Sequence, residues 1–199
     1  MHTESPVPAP APVPARPVVH ERTLDGFGTV RLVPLDPVAD LDTVHGWVSD
    51  ERARYWGMVG RSREEVRETY EFVESLTTHH AFLVLLDGEP VALHQTYEPA
   101  ADPVGACYEV RPGDFGVHLL IGPADGGERR GFTGSLLTVL IGHAFGDPAV
   151  RRIVVEPDIR NEKAVARMVR AGFVLGPEID KPEKRARLAF LPRPAADAG

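Results

Sequence analysis

The sequence predicts one α/β domain of the mixed α+β kind, with a central sheet flanked by helices. Length is the first observation, because 199 residues with 43% hydrophobic and 26% charged residues are typical of a single globular core. The second is the alternation of short strand-like runs with helical apolar patterns along the chain. No apolar run approaches roughly 20 residues, which excludes a membrane-spanning helix.

Both ends of the chain are predicted to lie outside this domain. Residues 1–20 form a Pro- and Ala-rich tail, with prolines at 6, 8, 10, 12, 14 and 17, and alternate prolines favour extended, disordered backbone. The domain itself is expected over 21–192, followed by a frayed C-terminus over 193–199. Because the tail lacks the basic start and apolar stretch of a secretory signal, we expect a cytoplasmic protein.

Composition narrows the functional classes. A net charge of −7 and a pI near 5.6 argue against a nucleic-acid surface. The single cysteine, Cys107, excludes an internal disulfide framework and is compatible with a reducing compartment. Histidines occur at 79, 80, 94 and 118, but their spacing is not that of a zinc site, so no metal is expected.

The predicted elements follow the order β-α-α-β-β-β-α-β-α-β-β. The first strand, 29–34, alternates apolar and polar residues, and Asp36-Pro37 then begins a helix with an N-cap residue followed by proline. A second helix is expected near 63–77, where apolar residues recur on one face.

The runs 81–86 and 91–97 flank a tight turn at 87–90 and predict a hairpin. The connection that follows, 98–114, is unusually long and rich in Pro and Gly, and long loops in compact domains are often functional. The last elements are a strand at 151–157, a helix at 162–171 closed by Gly172, and strands at 173–175 and 186–191.

The rest of the chain is organised around residues 115–141, which lie between the long connection and the strand at 151–157. Val117 to Ile121 is a short apolar run closed by Gly122-Pro123, which indicates a buried strand. The Arg- and Gly-containing loop up to 134 then opens a helix, so backbone N–H groups and the positive helix end converge on an anion. The dinucleotide fingerprint and the P-loop motif are both absent, which leaves coenzyme A as the favoured diphosphate ligand.

Two motifs resemble those of the GNAT N-acyltransferases. Residues 128–137, Glu-Arg-Arg-Gly-Phe-Thr-Gly-Ser-Leu-Leu, resemble the acyl-CoA loop of that family, and 161–173 resemble its Asn-x-x-Ala to Gly-Phe motif. The resemblance implies the GNAT fold, whose central strand pair splays apart, and acyl-CoA as co-substrate. The chain departs from the pattern at Glu128, Thr133 and Met168, and methionine cannot donate the proton that the usual tyrosine supplies.

Several further blocks resemble the siderophore-biosynthesis branch of the family, which acylates hydroxylamines to hydroxamates. They are Trp47 with Trp56, 95–102, 112–118, 156–161 and 180–186. This narrower resemblance implies an N-hydroxylated diamine or lysine as acceptor, with N-hydroxycadaverine favoured, and acetyl-CoA or succinyl-CoA as donor.

Two other functions stay open at this point. An aminoglycoside-type or other small-amine N-acetyltransferase would show the same fold and loop. A non-catalytic acyl-CoA-binding module is kept open by the departures from the family pattern. We expect neither nucleic-acid nor membrane partners, and a homodimer is left open.

The resemblance and the residue types together give a candidate site. Histidine suits a base because its unperturbed pKa of about 6.5 lies near operating pH, although His118 has an alternative as a core residue and Asp158 as a helix N-cap. The candidate catalytic residues are His94, His118 and Asp158. The candidate cofactor-binding residues are Leu119, Leu120, Ile121, Arg129, Arg130, Gly131, Phe132, Thr133, Gly134 and Asn161. The candidate substrate-binding residues are Trp56, Gln95, Tyr97, Glu98 and Asp114.

Overall fold

The structure, a computed structural model, describes residues 16–123 and 130–195. It contains an eight-stranded sheet in the order β1-β2-β3-β4-β5-β6-β8-β7. The strands are β1 His20–Leu24, β2 Gly28–Pro34, β3 His79–Leu86, β4 Glu89–Tyr97, β5 Asp114–Ile121, β6 Arg152–Val155, β7 Val174–Asp180 and β8 Arg185–Pro192. The helices are α1 Leu41–Val48, α2 Arg63–Ser75, α3 Phe132–Ala144 and α4 Glu162–Arg170, with 3₁₀ helices at Glu51–Trp56, Pro99–Ala101 and Pro103–Ala106.

The predicted mixed sheet with a splayed central pair is confirmed. Strands β4 and β5 pair antiparallel along their length, whereas β5 and β6 pair parallel only from Asp114 to Gly116. Strand β6 is short and is followed by Glu156-Pro157, and proline cannot donate a ladder hydrogen bond. From Val117 onward, the outer edge of β5 is therefore left without a neighbouring strand among the described residues.

Helices cover the two faces of the sheet with separate apolar cores. The core under α1 and α2 consists of Val33, Leu35, Val44, Trp47, Val48, Val66, Tyr70, Leu83 and Leu93. The core under α3 consists of Phe27, Val30, Leu32, Val84, Ala92, Leu136, Val139 and Leu140. Within the described ranges, no helix has the length and apolar character needed to cross a bilayer.

Alternation along β4 and β5 assigns the polar residues of these strands to one face or the other. Gln95 lies opposite His118 in the ladder, two positions from the Leu93 and Leu120 pair that packs toward α1 and α2. His94 belongs to the opposite face, under α3. The sequence-based expectation that His94 and Gln95 face opposite sides is thus confirmed.

Both predicted tails include residues that contact the domain. Arg16 forms an ion pair with the buried Asp40, and the Val19 N–H donates to the Leu32 oxygen at 2.9 Å. Strand β1, which the sequence analysis did not predict, starts at His20. At the other end, Arg193 donates to the carbonyl oxygens of Val150 and Phe145 at 2.8 and 2.9 Å. Positions 1–15 and 196–199 lie outside the described residues.

Candidate active site

A cleft with a volume of about 620 Å³ lies where β5 and β6 diverge. Its walls come from the 3₁₀ helix Glu51–Trp56 and α2 on one side, from β4 and β5 in the middle, and from β6 and α4 on the other. The cleft therefore joins the free edge of β5 to the face that α1 and α2 cover.

His118 occupies the centre of this cleft. Its Nε2 atom lies 2.9 Å from Oε1 of Glu156, and its side chain is 29% exposed, whereas that of Glu156 is 1% exposed. Its ring also contacts Tyr97 at 4.8 Å and the edge of Trp56 at 6.2 Å, both between ring centroids. A carboxylate only accepts hydrogen bonds, so we assign the Nε2 proton to this bond, which leaves Nδ1 as the ring nitrogen that Glu156 does not engage.

Glu156 is held in its ionised form by two lysines from the β7–β8 turn. Lys181 Nζ lies 3.0 Å from Oε1 and Lys184 Nζ lies 2.8 Å from Oε2. Burial alone would raise the pKa of Glu156, but the charges of His118, Lys184 and Lys181 and the hydrogen bond from His118 hold that pKa well below its usual range. A buried carboxylate with these partners fixes the tautomer and orientation of His118.

The position of His94 does not suit the catalytic role predicted for it. It lines the inner wall of the cleft but is 2% exposed, and its Nδ1 lies 3.0 Å from the His118 carbonyl oxygen. Burial lowers the pKa of His94 to about 4, with a smaller contribution from His143. Its buried Nε2 has no hydrogen-bond partner among the described residues. The ring is neutral and lies in the core under α3, which disfavours it as the base.

Asp158 is engaged by a local partner. Its Oδ1 accepts from the Arg160 N–H and Nε, both at 2.9 Å, and its Oδ2 accepts from Nη2 at 2.6 Å. These hydrogen bonds hold the pKa of Asp158 below its usual range. The helix N-cap is instead Asn161, whose Oδ1 accepts from the Ala164 N–H at 3.2 Å. Asp158 thus shapes the turn before α4, and its carboxylate has little capacity left for catalysis.

Trp56 and Gln95, both predicted to bind substrate, line the cleft. The Trp56 indole donates to the Tyr70 hydroxyl at 3.2 Å, which fixes its ring beside His118. Gln95 lies opposite His118 in the β4–β5 ladder. The structure therefore brings these two predicted residues together with the best-placed histidine.

The other predicted substrate residues lie away from the walls of this cleft. Tyr97 is 2% exposed, and its ring lies flat over Gly116, where a Cβ would come within 2.2 Å of it. Glu98 is exposed after the end of β4. The structure gives Asp114 a different role from the predicted substrate binding. Arg152 binds both of its oxygens at 2.7 Å, and Tyr108 donates to it at 3.0 Å. Its carboxylate is fully used in holding the start of β5.

Main-chain groups of β5 form the edge at which cofactor binding was predicted. The Gly122 N–H donates to the Val91 oxygen at 2.8 Å, across the β4–β5 pair. Because these groups alternate in direction along a strand, Leu120 also turns toward β4, whereas Leu119 and Ile121 turn toward the cleft. Of the three predicted residues, Leu119 is the one whose N–H points into the cleft next to His118.

The predicted phosphate loop is described only from residue 130. Gly131 has a left-handed φ of 80° and forms the N-cap of α3, with open space where a Cβ would be. Thr133 and Gly134 form the first turn, Arg130 is exposed, and the Phe132 ring packs on Phe27 at 5.5 Å. Arg129 lies outside the described residues. Asn161 and Met168 of the second motif both line the cleft.

Three residues that the sequence analysis did not place in the site are central to it, namely Glu156, Lys181 and Lys184. Glu156 belongs to a quoted block, but the role was given to Asp158, another acid after the same strand. The feature that could have identified Glu156 is its position directly after a buried strand, because ligand sites commonly lie at the carboxyl ends of strands. The described residues contain no group of three His, Cys, Asp or Glu side chains arranged for a metal ion.

Residues 36–181 match the family described as acetyltransferase (GNAT) domain. The chain belongs to the GNAT acetyltransferase family. It is 31% identical over 161 residues to an N(6)-hydroxylysine O-acetyltransferase from Escherichia coli, covering 79% of this chain and 50% of that protein. It is 30% identical over 192 residues to lysine N-acyltransferase MbtK from Mycobacterium sp. (strain MCS), covering 94% of this chain and 74% of that protein.

These relatives confirm the predicted resemblance to the siderophore-biosynthesis branch, and family membership confirms the expectation of an enzyme of the acyltransferase class. The chain spans only half the length of the E. coli relative.

Solved structures share this fold. An uncharacterized protein from Bacillus halodurans superposes with a TM-score of 0.79 at 23% identity, over 87% of this chain and 89% of that chain. Aminoglycoside acetyltransferase AAC(6')-Ib, solved in complex with coenzyme A, superposes with a TM-score of 0.72 at 24% identity, over 82% and 95% of the two chains. At these identities the likeness establishes the GNAT fold and nothing finer.

Proposed function

We propose that this GNAT domain is a cytoplasmic acyl-CoA-dependent N-acyltransferase of siderophore biosynthesis, which acylates an N-hydroxylated diamine or lysine to a hydroxamate. The observation that carries the proposal is His118, whose Nε2 is bound to the buried Glu156 while the ring lies beside the free edge of β5. A positioned base and a main-chain donor are the two groups that acyl transfer from a thioester requires.

In the proposed reaction the acceptor nitrogen attacks the thioester carbon, and its proton passes to Nδ1 of His118. The Leu119 N–H donates to the carbonyl oxygen, where negative charge develops in the tetrahedral intermediate. Collapse of the intermediate breaks the C–S bond, and the imidazolium returns the proton to the departing thiolate. This route does not use the position of Met168, and Glu156 stabilises the imidazolium throughout.

A hydroxylamine acceptor needs only a moderate base such as histidine. The oxygen on its nitrogen lowers basicity, so much of the acceptor is already neutral near pH 7, and proton removal is needed only as the new bond forms. The names of the two curated relatives refer to hydroxylysine and to lysine. Within the proposal, N-hydroxycadaverine is the favoured acceptor.

The charge of the cleft suits a polyanionic donor. Its lining residues include six Lys or Arg side chains against three carboxylates: Arg52, Arg54, Arg61, Arg160, Lys181 and Lys184 against Glu156, Asp158 and Glu183. Helix α3, which lines the cleft through Leu137 and Leu140, begins at Gly131, and a helix N-terminus is suited to bind anions. We propose acetyl-CoA or succinyl-CoA as the acyl donor, without a metal.

The test is release of free thiol from acetyl-CoA and from succinyl-CoA, with N-hydroxycadaverine, N6-hydroxylysine, cadaverine and kanamycin offered separately. We expect turnover with a hydroxylamine and little with cadaverine or kanamycin. Preferential turnover of kanamycin would replace the proposal with an aminoglycoside-type activity. Saturable CoA binding without turnover of any acceptor would instead favour a binding module.

A further inference from the structure

A second cavity of about 200 Å³ adjoins the cleft on the face of α1 and α2, toward the end of β4. Gln95 and His118 line both cavities, so this side pocket begins at the proposed reaction centre. Val73 of α2, His79 of β3 and Asp102 of the long connection form its other walls. An acceptor whose reacting nitrogen lies at His118 can therefore extend its chain into this space.

The side pocket and the cleft differ in charge. Among the residues that the structure describes, one carboxylate, Asp102, lines the pocket and no Lys or Arg does, whereas cationic side chains outnumber acids in the cleft. The Asp102 side chain is 14% exposed. Its Oδ1 accepts from the Val104 N–H at 2.8 Å, and its Oδ2 lies at the long distance of 3.5 Å from Nε2 of His79. Oδ2 thus retains acceptor capacity.

The floor of the pocket is aromatic and shielded from water. Tyr97 is 2% exposed and stacks on His79, with ring centroids 5.8 Å apart and an interplanar angle of 15°. A carboxylate attracts an ammonium group more strongly in such surroundings than in water. The Tyr97 hydroxyl is buried and has no hydrogen-bond partner among the described residues.

We propose that the side pocket is the subsite for the distal end of the acceptor, and that Asp102 binds a primary ammonium group there. The inference rests on the proposed function and narrows its acceptor to a diamine. An ammonium that carries a neighbouring carboxylate, as in N6-hydroxylysine, would bring a second negative charge to Asp102. The subsite therefore favours N-hydroxycadaverine over N6-hydroxylysine.

The experiment compares N-hydroxycadaverine with N-pentylhydroxylamine, which has the same chain but no ammonium. In Asp102→Asn, the amide oxygen can still accept from the Val104 N–H, so the loop is expected to keep its shape. We expect this variant to lower kcat/KM for N-hydroxycadaverine roughly 10- to 100-fold, mainly through KM, which is the size of a lost charged hydrogen bond. Turnover of N-pentylhydroxylamine should stay unchanged.

Glu109→Gln is the matched control, because Glu109 is an exposed acid of the same connection and lines neither cavity. It should leave both acceptors unaffected. An equal loss for both acceptors in Asp102→Asn, or no loss for either, would overturn the proposal. If Asp102→Asn does not fold, Val73→Lys places an ammonium in the pocket and should abolish the preference for N-hydroxycadaverine; an unchanged preference overturns the assignment.

Calorimetric binding of cadaverine separates this proposal from the proposed function, because binding needs no turnover. Cadaverine should bind the wild-type chain and bind Asp102→Asn much more weakly, even if no acceptor is acylated. Equal binding to both proteins, or none to the wild type, would show that the pocket is not an ammonium subsite. Absence of turnover together with binding that depends on Asp102 would refute only the proposed reaction.

Discussion

Strands β4 and β5 present one histidine to each face of the sheet, and the two residues differ in almost every physical property. His118 lies at a cleft, bound to an ionised carboxylate, with one ring nitrogen available. His94 lies in the core under α3, bonded to a carbonyl, with its pKa lowered to about 4 by burial. The comparison shows that residue type alone does not make a base. A base needs solvent or substrate access together with a partner for its charged form.

The largest effect should come from truncating each histidine in turn. His118→Ala should lower kcat about 10²–10⁴-fold, the usual contribution of a general base, and it should also lower stability, because the buried Glu156 loses its hydrogen bond. His94→Ala should lower the free energy of unfolding by about 2–4 kcal/mol through lost packing, with kcat nearly unchanged. Steady-state kinetics and denaturant unfolding of both variants give the answer. A larger catalytic loss in His94→Ala would reverse the assignment.

Acid should destabilise the two faces in different pH windows. The pKa of His94 is lowered from 6.5 to about 4, so its contribution is present above pH 6.5 and is lost as pH falls toward 4. The loss amounts to up to about 3 kcal/mol. Glu156, whose pKa is also lowered, loses its contribution only below its unfolded value of 4.5. Unfolding of the wild type and of His94→Ala between pH 7 and 4 should differ in slope, and parallel curves would contradict the expectation.

A smaller effect is expected when Glu156 is neutralised in place. Glu156→Gln keeps the volume but removes the charge that favours the imidazolium, so kcat should fall roughly 10- to 100-fold, as for other residues that orient a functional group. Steady-state kinetics of the wild type and of Glu156→Gln measure this loss. An unchanged kcat would mean that Glu156 serves folding alone.

Much of this architecture could be predicted from the sequence. Short apolar runs and turn residues gave the order of elements from β2 to β8, and period-2 alternation placed His94 and Gln95 on opposite sides of β4. The predicted helix start at Asp36-Pro37 was wrong, because α1 begins at Leu41 and Asp36 instead accepts from the N–H groups of a turn at 38 and 39. Strand β1 was missed because His20–Leu24 is mostly polar and exposed. These signals are local, since they depend on neighbouring residues along the chain.

Partners distant in sequence decided the rest. Asp114 was predicted to be a free acid, yet Arg152 occupies it from 38 positions away. Asp158 differs, because its partner Arg160 lies only two positions away and is a local signal that the sequence analysis missed. Glu156 is reached by His118 from 38 positions away and by Lys184 from 28 positions away.

The sequence by itself determined the order of the helices and strands from β2 to β8. Through the family motifs it also determined that the central strands splay apart, and through alternation that β4 presents His94 and Gln95 to opposite faces. Only the tertiary structure decided which side became a core and which became a site. The physical reason is that alternation is set by the backbone, whereas burial and charge pairing depend on which helix or turn packs above each face.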